Sequence, residues 1–297
     1  MHAFETPEPI SAVVDVVAGD IRIDASDRED TVVDVRPSDP AKRVDVTAAE
    51  QTRVEYAAGR LVVKTSQRWR SFSPFSHGGS VDVRVELPTG SSVSARAAMA
   101  AVHCSGSLAG CEVKTSLGDI HVEQAATVEL TTSAGDITVD HTRDNAKVTT
   151  STGSLRVDSV DGTAVLKNSN GDVRVARVGG DLRVVTANGD IAVGEAGGSV
   201  VAKTARGEIR VSAAARGPVV AETGFGEVEI AIPDGVAAWL DLATGFGQLQ
   251  NTLEEAGPPG PDDASIEVRV RSGYGDITIR RAHSPASVAS ATEGRAR

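Results

Sequence analysis

The sequence predicts an all-β fold: a single-stranded β-solenoid, or β-helix, with about 17–18 residues and two short strands per coil. Three observations predict it. Glycines recur at Gly118, Gly135, Gly153, Gly171, Gly189 and Gly207, spaced by 17 or 18 residues, and again at Gly226, Gly247 and Gly275; a fixed period in this range marks stacked coils. Aligned on these glycines, apolar residues fall into fixed columns with the period-2 alternation of strands. Aromatic residues make up only 3% of the chain against 30 glycines, so the core is built from small and β-branched side chains, which suits thin repetitive β-structure.

The chain carries the repeat in outline from its start. Ala12, Val14 and Val16 alternate, and Gly19-Asp20-Ile21-Arg22-Ile23 joins two strands through a turn. Residues 31–36 read as a further strand stopped by Pro37 and Pro40, and residues 53–56 and 61–65 flank a turn at Ala58-Gly59. Residues 66–80 interrupt the pattern with Trp69, Phe72 and Phe75, and with Arg68 and Arg70 bracketing the tryptophan. Loops that interrupt a regular scaffold are where binding concentrates; a cap over an open sheet end is the competing reading. Residues 81–87 alternate as a strand ended by Pro88.

From about residue 108 the repeat is regular. Two residues after each glycine stand Ile120, Ile137, Leu155, Val173, Ile191, Ile209, Val228, Leu249 and Ile277, and four after it Val122, Val139, Val157, Val175, Val193, Val211 and Ile230. These are one buried strand face. Val113, Leu130, Val148, Leu166, Val184, Ala202 and Ala221, five before it, are a second, and Ala125, Val160, Val178, Ala196 and Ala214 read as small corner residues. Thr115, Thr132, Thr150, Asn168, Thr186, Thr204, Thr223 and Thr244 form a polar column suited to coil-to-coil hydrogen bonds at strand spacing.

Immediately after the glycine lies an acidic column: Asp119, Asp136, Asp172, Asp190, Glu208, Glu227 and Asp276. Calcium-binding nonapeptide repeats need a Gly-Gly-x-Gly-x-Asp pattern that is missing here. Gly-Asp and Asn-Gly are explained by positive φ and side-chain turn bonds, with Arg156, Arg174, Arg183 and Arg210 moderating the like charges. The residue before the glycine becomes Phe225, Phe246 and Tyr274, three aromatics in one column that read as an end cap or as a strip for a partner.

The expected organisation is one continuous solenoid over 1–281, with irregular coils and a cap to about 107, regular repeats over 108–281 and a disordered tail over 282–297. The commoner right-handed coil is expected. A net charge of −11 argues against a nucleic-acid partner. No stretch approaches the roughly 18 apolar residues of a membrane span. The first residues carry neither a basic region nor an apolar run, so a cytoplasmic location is expected. Cys104 and Cys111 read as two reduced thiols, and no metal or cofactor site is expected.

The Gly-Asp-Ile-x-Val units, the opening Phe4-Glu5-Thr6-Pro7-Glu8-Pro9-Ile10, the stretch from Ala48 to Tyr56, Lys167-Asn168-Ser169-Asn170-Gly171-Asp172 and Ala238-Trp239-Leu240-Asp241-Leu242 together resemble a family of bacterial β-strand-repeat proteins. That family is labelled a candidate adhesin domain of unknown function, and the chain is similar to its cytosolic actinobacterial type over roughly residues 4–281. The resemblance implies one β-solenoid domain and no catalytic residues. The expected function is a non-enzymatic scaffold or binding module, self-associating or protein-binding. Its candidate contacts are Arg68, Trp69, Arg70, Phe72, Phe75, Phe225, Phe246 and Tyr274. An exported adhesin or glycan binder is the alternative. A polysaccharide-acting enzyme is the third reading, but His2, His77, His103, His121, His141 and His283 are scattered outside any nucleophile motif.

Overall fold

The computed structural model describes residues 1–65, 79–214, 216–254 and 265–282. Strands stack in parallel and in register into a β-solenoid. In the central coils Ile137 sits beside Leu155, Leu155 beside Val173, Val173 beside Ile191, Ile191 beside Ile209 and Ile209 beside Val228. On the opposite face Val148, Leu166, Val184, Ala202 and Ala221 follow one another in the same way. Both columns are fully buried. Alternation with exposed residues is what turns these two columns toward each other.

Each anchor glycine has positive φ, +131° at Gly171 and +142° at Gly189. Each also lies against the preceding coil: a Cβ on Gly189 would sit 2.1 Å from the Gly171 carbonyl oxygen. Only glycine meets both demands at once.

The polar column works differently from a side-chain ladder. Thr150 Oγ1 donates to the Gly135 carbonyl of the preceding coil at 3.3 Å, Thr204 Oγ1 to the Gly189 carbonyl at 3.2 Å, and Thr223 Oγ1 to the Gly207 carbonyl at 3.0 Å. Asn168 Nδ2 donates both to Gly153 O and to Gly171 O, each at 2.9 Å. Gly171 O is the equivalent acceptor for Thr186, and the Thr186 hydroxyl is one of two buried side-chain oxygens left unpaired among the described residues. The other is Thr142, which stands in the apolar corner column between Ala125 and Val160. An unpaired buried hydroxyl costs about 1–3 kcal/mol against an apolar isostere. Thr142→Val is therefore expected to stabilise the protein by roughly 1 kcal/mol, read as a higher urea midpoint at unchanged m.

The carboxylates of the acidic column accept backbone N–H groups of the following coil. Asp119 Oδ1 takes Asp136 N–H at 2.8 Å, Asp136 Oδ1 takes Ser154 N–H at 2.7 Å, and Asp190 Oδ1 takes Glu208 N–H at 2.8 Å. These bonds run between coils, whereas the sequence suggested local turn bonds. Arg174 pairs with Asp172 at 3.2 Å and Arg210 with Glu208 at 3.5 Å, but Arg156 pairs with Asp158, outside the column.

At both ends the order of coils in space departs from their order in sequence. Ser11–Asp15 lies between Arg60–Lys64 and Ser92–Arg96, and Ala18–Ser26 lies between Val81–Pro88 and Met99–Lys114. At the far end Ser265–Tyr274 lies between Val219–Phe225 and Ala237–Phe246, and Ile277–Arg281 lies between Val228–Ile232 and Leu249–Asn251. The last coil in space is thus 237–251.

The N-terminal end is closed. Two antiparallel strands, His2–Glu5 and Arg53–Ala57, finish it, and the rings of Phe4 and Tyr56 meet with centroids 5.4 Å apart. The helix Arg43–Gln51, which strand periodicity does not announce, packs its Ala48 on the core. Asp45 Oδ1 of this helix accepts the Ser80 N–H at 2.8 Å.

Candidate binding surface

Phe225, Tyr274 and Phe246 end the adjacent strands Val219–Phe225, Ser265–Tyr274 and Ala237–Phe246, and the in-register pairing places them side by side. Their order in space is 225, 274, 246, not the order in sequence. Phe225 and Tyr274 stack at 4.9 Å with planes 2° apart, and Tyr274 and Phe246 at 4.7 Å and 7°. Strand spacing sets this separation, and the parallel register makes the rings face each other. Arg206 extends the row, its guanidinium carbon 5.9 Å from the Phe225 centroid. The three rings remain 50–68% exposed, so the row is a surface ladder and not a buried cap. Trp239 belongs to the same last coil and is also exposed, with no ring contact to the ladder.

Charges frame this region. Asp241 pairs with Arg271 at 2.6 Å and with Arg269 at 3.3 Å, and the Arg271 hydrogen bond holds its carboxyl below the usual range. Glu229 lies between Arg210 at 2.8 Å and Arg280 at 2.5 Å, and Arg210 first, then Arg280, lowers its pKa. Asp241 ties together two coils of the sheet that carries the ladder, and Glu229 ties together three coils of the adjoining sheet.

Arg68, Trp69, Arg70, Phe72 and Phe75 lie outside the described residues. The structure thus brings together three of the eight candidate contacts. Sequence reading missed the exposed Leu249 as a surface feature, because its column is buried in every inner coil; Trp239 stands instead in an outward-facing column, beside the exposed Glu267. The exposure of Leu249 follows from 237–251 being last in space.

Elsewhere, His103 and His121 are in register with rings 4.7 Å apart, and His121 Nε2 lies 3.0 Å from Asp140 Oδ2. Among the described residues no group of three or more His, Cys, Asp or Glu is placed to hold a metal. Cys104 and Cys111 are free, buried thiols with sulfurs 3.8 Å apart. The Cys111 contact and burial push the Cys104 thiol well above its usual range, which makes it a poor nucleophile. No helix of the described residues is long and apolar enough to cross a membrane.

The family described as Toastrack DUF4097 matches residues 11–248. The intercalated coil 265–281 lies beyond that match although it sits inside the stack. No curated protein matches the chain. Among solved structures, a candidate adhesin from Parabacteroides distasonis is 12% identical, with 93% of this chain and 95% of that one covered and a TM-score of 0.43. One from Parabacteroides merdae is 11% identical, with 94% of each chain covered and a TM-score of 0.43. A candidate cell adhesion protein from Clostridium sporogenes is 12% identical, covering 94% and 98%, at a TM-score of 0.24. Likeness at these scores carries no argument about this chain.

Proposed function

We propose that this chain, which belongs to the Toastrack DUF4097 family, is a non-enzymatic β-solenoid scaffold that offers a rigid side strip to a protein partner. The observation that carries the reading is the exposed ladder of Arg206, Phe225, Tyr274 and Phe246. Aromatic and arginine side chains clustered on a fixed backbone are the composition of protein-binding hot spots. Clustered exposed apolar surface marks an interaction site where scattered exposed residues do not. The repeated polar columns support the non-enzymatic half of the reading. Their threonine hydroxyls and aspartate oxygens are engaged between coils, so the groups most numerous on the solenoid serve its own stacking.

A glycan partner, as an exported adhesin would bind, fits the strip less well. Sugars pack on open ring faces, and here stacking hides the faces of Phe225 and Tyr274 from ligand. The ring edges and the outer face of Phe246 remain, and a row of edges suits side chains of a protein. A cytoplasmic location accords with this reading and with two buried thiols in contact, which suit a reducing compartment.

The test is capture from native lysate with the wild-type chain and with the double variant Phe225→Ala/Tyr274→Ala. The variant is expected to lose specific partners at unchanged fold. An identical partner set for both chains would remove the strip from the account.

A further inference from the structure

The C-terminal end of the stack is an unfinished coil. Among the described residues Ala237–Phe246 pairs only with Ser265–Tyr274, and Leu249–Asn251 only with Ile277–Arg281. Their outer edges leave a row of backbone donors and acceptors without strand partners among the described residues. The core columns also run out into the open here. Leu249 is 52% exposed, whereas Ile277 and Val228, its in-register neighbours one and two coils inward, are 0% and 1% exposed. Leu240 and Leu242 are half-buried, whereas Val268 and Val270 beside them are fully buried. Trp239 projects from the outward face of the same strand, beside the exposed Glu267, at 67% exposure.

Exposed edge strands are ordinarily guarded by lysine, proline, a bulge or brevity. Of these, the edge has only the brevity of Leu249–Asn251, and its longer strand has none. Ala237–Phe246 is a 10-residue strand, and over residues 237–251 the only charge is Asp241, which Arg269 and Arg271 already neutralise. The other end is built oppositely. There Arg53 and Glu55 stand on a short antiparallel edge strand, Phe4 and Tyr56 close the mouth, and Leu61 and Val63 beneath are fully buried.

We infer that the chain dimerises head to head through this C-terminal end, each copy supplying the coil that the other lacks. An open pair of strand edges over an apolar core is completed by strands of matching width and apolar columns, which a second copy has by construction. The edge is locally near-neutral, so two copies meet there without the repulsion expected from a net charge of −11. The chain's own remaining segments near this end do not match it in composition. Residues 255–264 hold Pro258, Pro259 and Pro261 and no large apolar side chain, and residues 283–297 hold Val288 as their one large aliphatic. Proline cannot donate to a ladder. Because the N-terminal end is closed, the contact is isologous, and assembly stops at two instead of running on as a filament. This end shares Phe246 with the side strip but not Phe225 or Tyr274, and the inference stands whether or not the strip binds a partner.

The experiment is the solution mass of the full chain by light scattering across a dilution series, for the wild type and for Trp239→Glu/Leu249→Lys. Twice the chain mass is expected for the wild type and the single mass for the variant, with unchanged circular dichroism. In case the variant fails to fold, amide exchange of the wild type is the second readout: protection over 237–246 is expected to rise with protein concentration. A monomer at every concentration overturns the inference. So does open-ended assembly, or a dimer lost on Tyr56→Glu instead. Phe225→Ala/Tyr274→Ala is expected to keep the dimer mass, which separates this result from the side-strip test.

Discussion

Gly189→Ala is expected to destabilise the protein by roughly 3–5 kcal/mol, among the largest effects of any single substitution in this chain. Two costs add. The residue holds φ at +142°, which an L side chain adopts only under strain. The new methyl would lie 2.1 Å from the Gly171 carbonyl oxygen and 2.5 Å from its carbon. That obstacle is backbone of the preceding coil, held in place by Gly171 N–H donating to Asn188 O at 2.9 Å, so it cannot swing aside as a side chain could. Gly59→Ala separates the two costs. Gly59 has φ +73° with nothing within 4 Å of the added carbon, so only the backbone strain of about 1 kcal/mol is expected. Urea unfolding of both variants is the measurement. Equal midpoints would mean that coil spacing tolerates a methyl and that the glycine column is conformational alone.

The same substitution in the last coil serves as a positional control. A Cβ on Gly247 would meet the Gly275 carbonyl oxygen at 2.2 Å, the same clash in kind. Yet coil 237–251 has a neighbour on one side only, so it can fray while the rest stays folded. In a one-dimensional stack, damage at an end removes one coil, and damage in the middle breaks the coupling between two halves.

Much of this fold was legible because its rules are local. Glycine period, strand parity and the small residues at the corner each repeat in sequence, and Ile191, Val193 and Val184 lie inside as their columns require. The partners of Thr150 and Asp190 were less legible. The column of Thr150 said that it bonds between coils, whereas that of Asp190 read as local turn bonds; that the acceptor is a glycine carbonyl and the donor an N–H of the following coil depends on the backbone path between coils. Stack order was not legible at all. The column of Tyr274 says which neighbours a coil can take, and Phe225 and Phe246 satisfy it equally, so nothing local shows that residues 265–281 enter between two coils already made. For the same reason Leu249 reads as core and stands exposed. The helix Arg43–Gln51 escaped notice because β-branched Val44, Val46 and Thr47 favour strand. Its Asp45 bond to Ser80 and the burial of Ala48 decide otherwise.

Leu166→Ala is expected to cost roughly 3–4 kcal/mol. Leu166 is fully buried, between Val148 and Val184 of the adjoining coils. The cost of a deleted side chain depends on how far the surroundings can collapse into the space. Here they can collapse little. The walls are strands fixed at the ladder spacing by hydrogen bonds on both sides, and the neighbouring core residues are valines and alanines with few alternative rotamers. Leu117→Ala removes the same atoms from a half-exposed position and is expected to cost less than about 1 kcal/mol. The shape of the transition carries further information. Coils touch only their nearest neighbours, so weakening one central interface lowers the coupling between the coils before and after it. A wild type that unfolds in one step and a Leu166→Ala variant that unfolds in two would place the cooperative link at that interface. A single step in both, with the midpoint of the variant barely moved, would mean that the narrow core closes over the gap after all, and that the stiffness assigned to the coil walls is wrong.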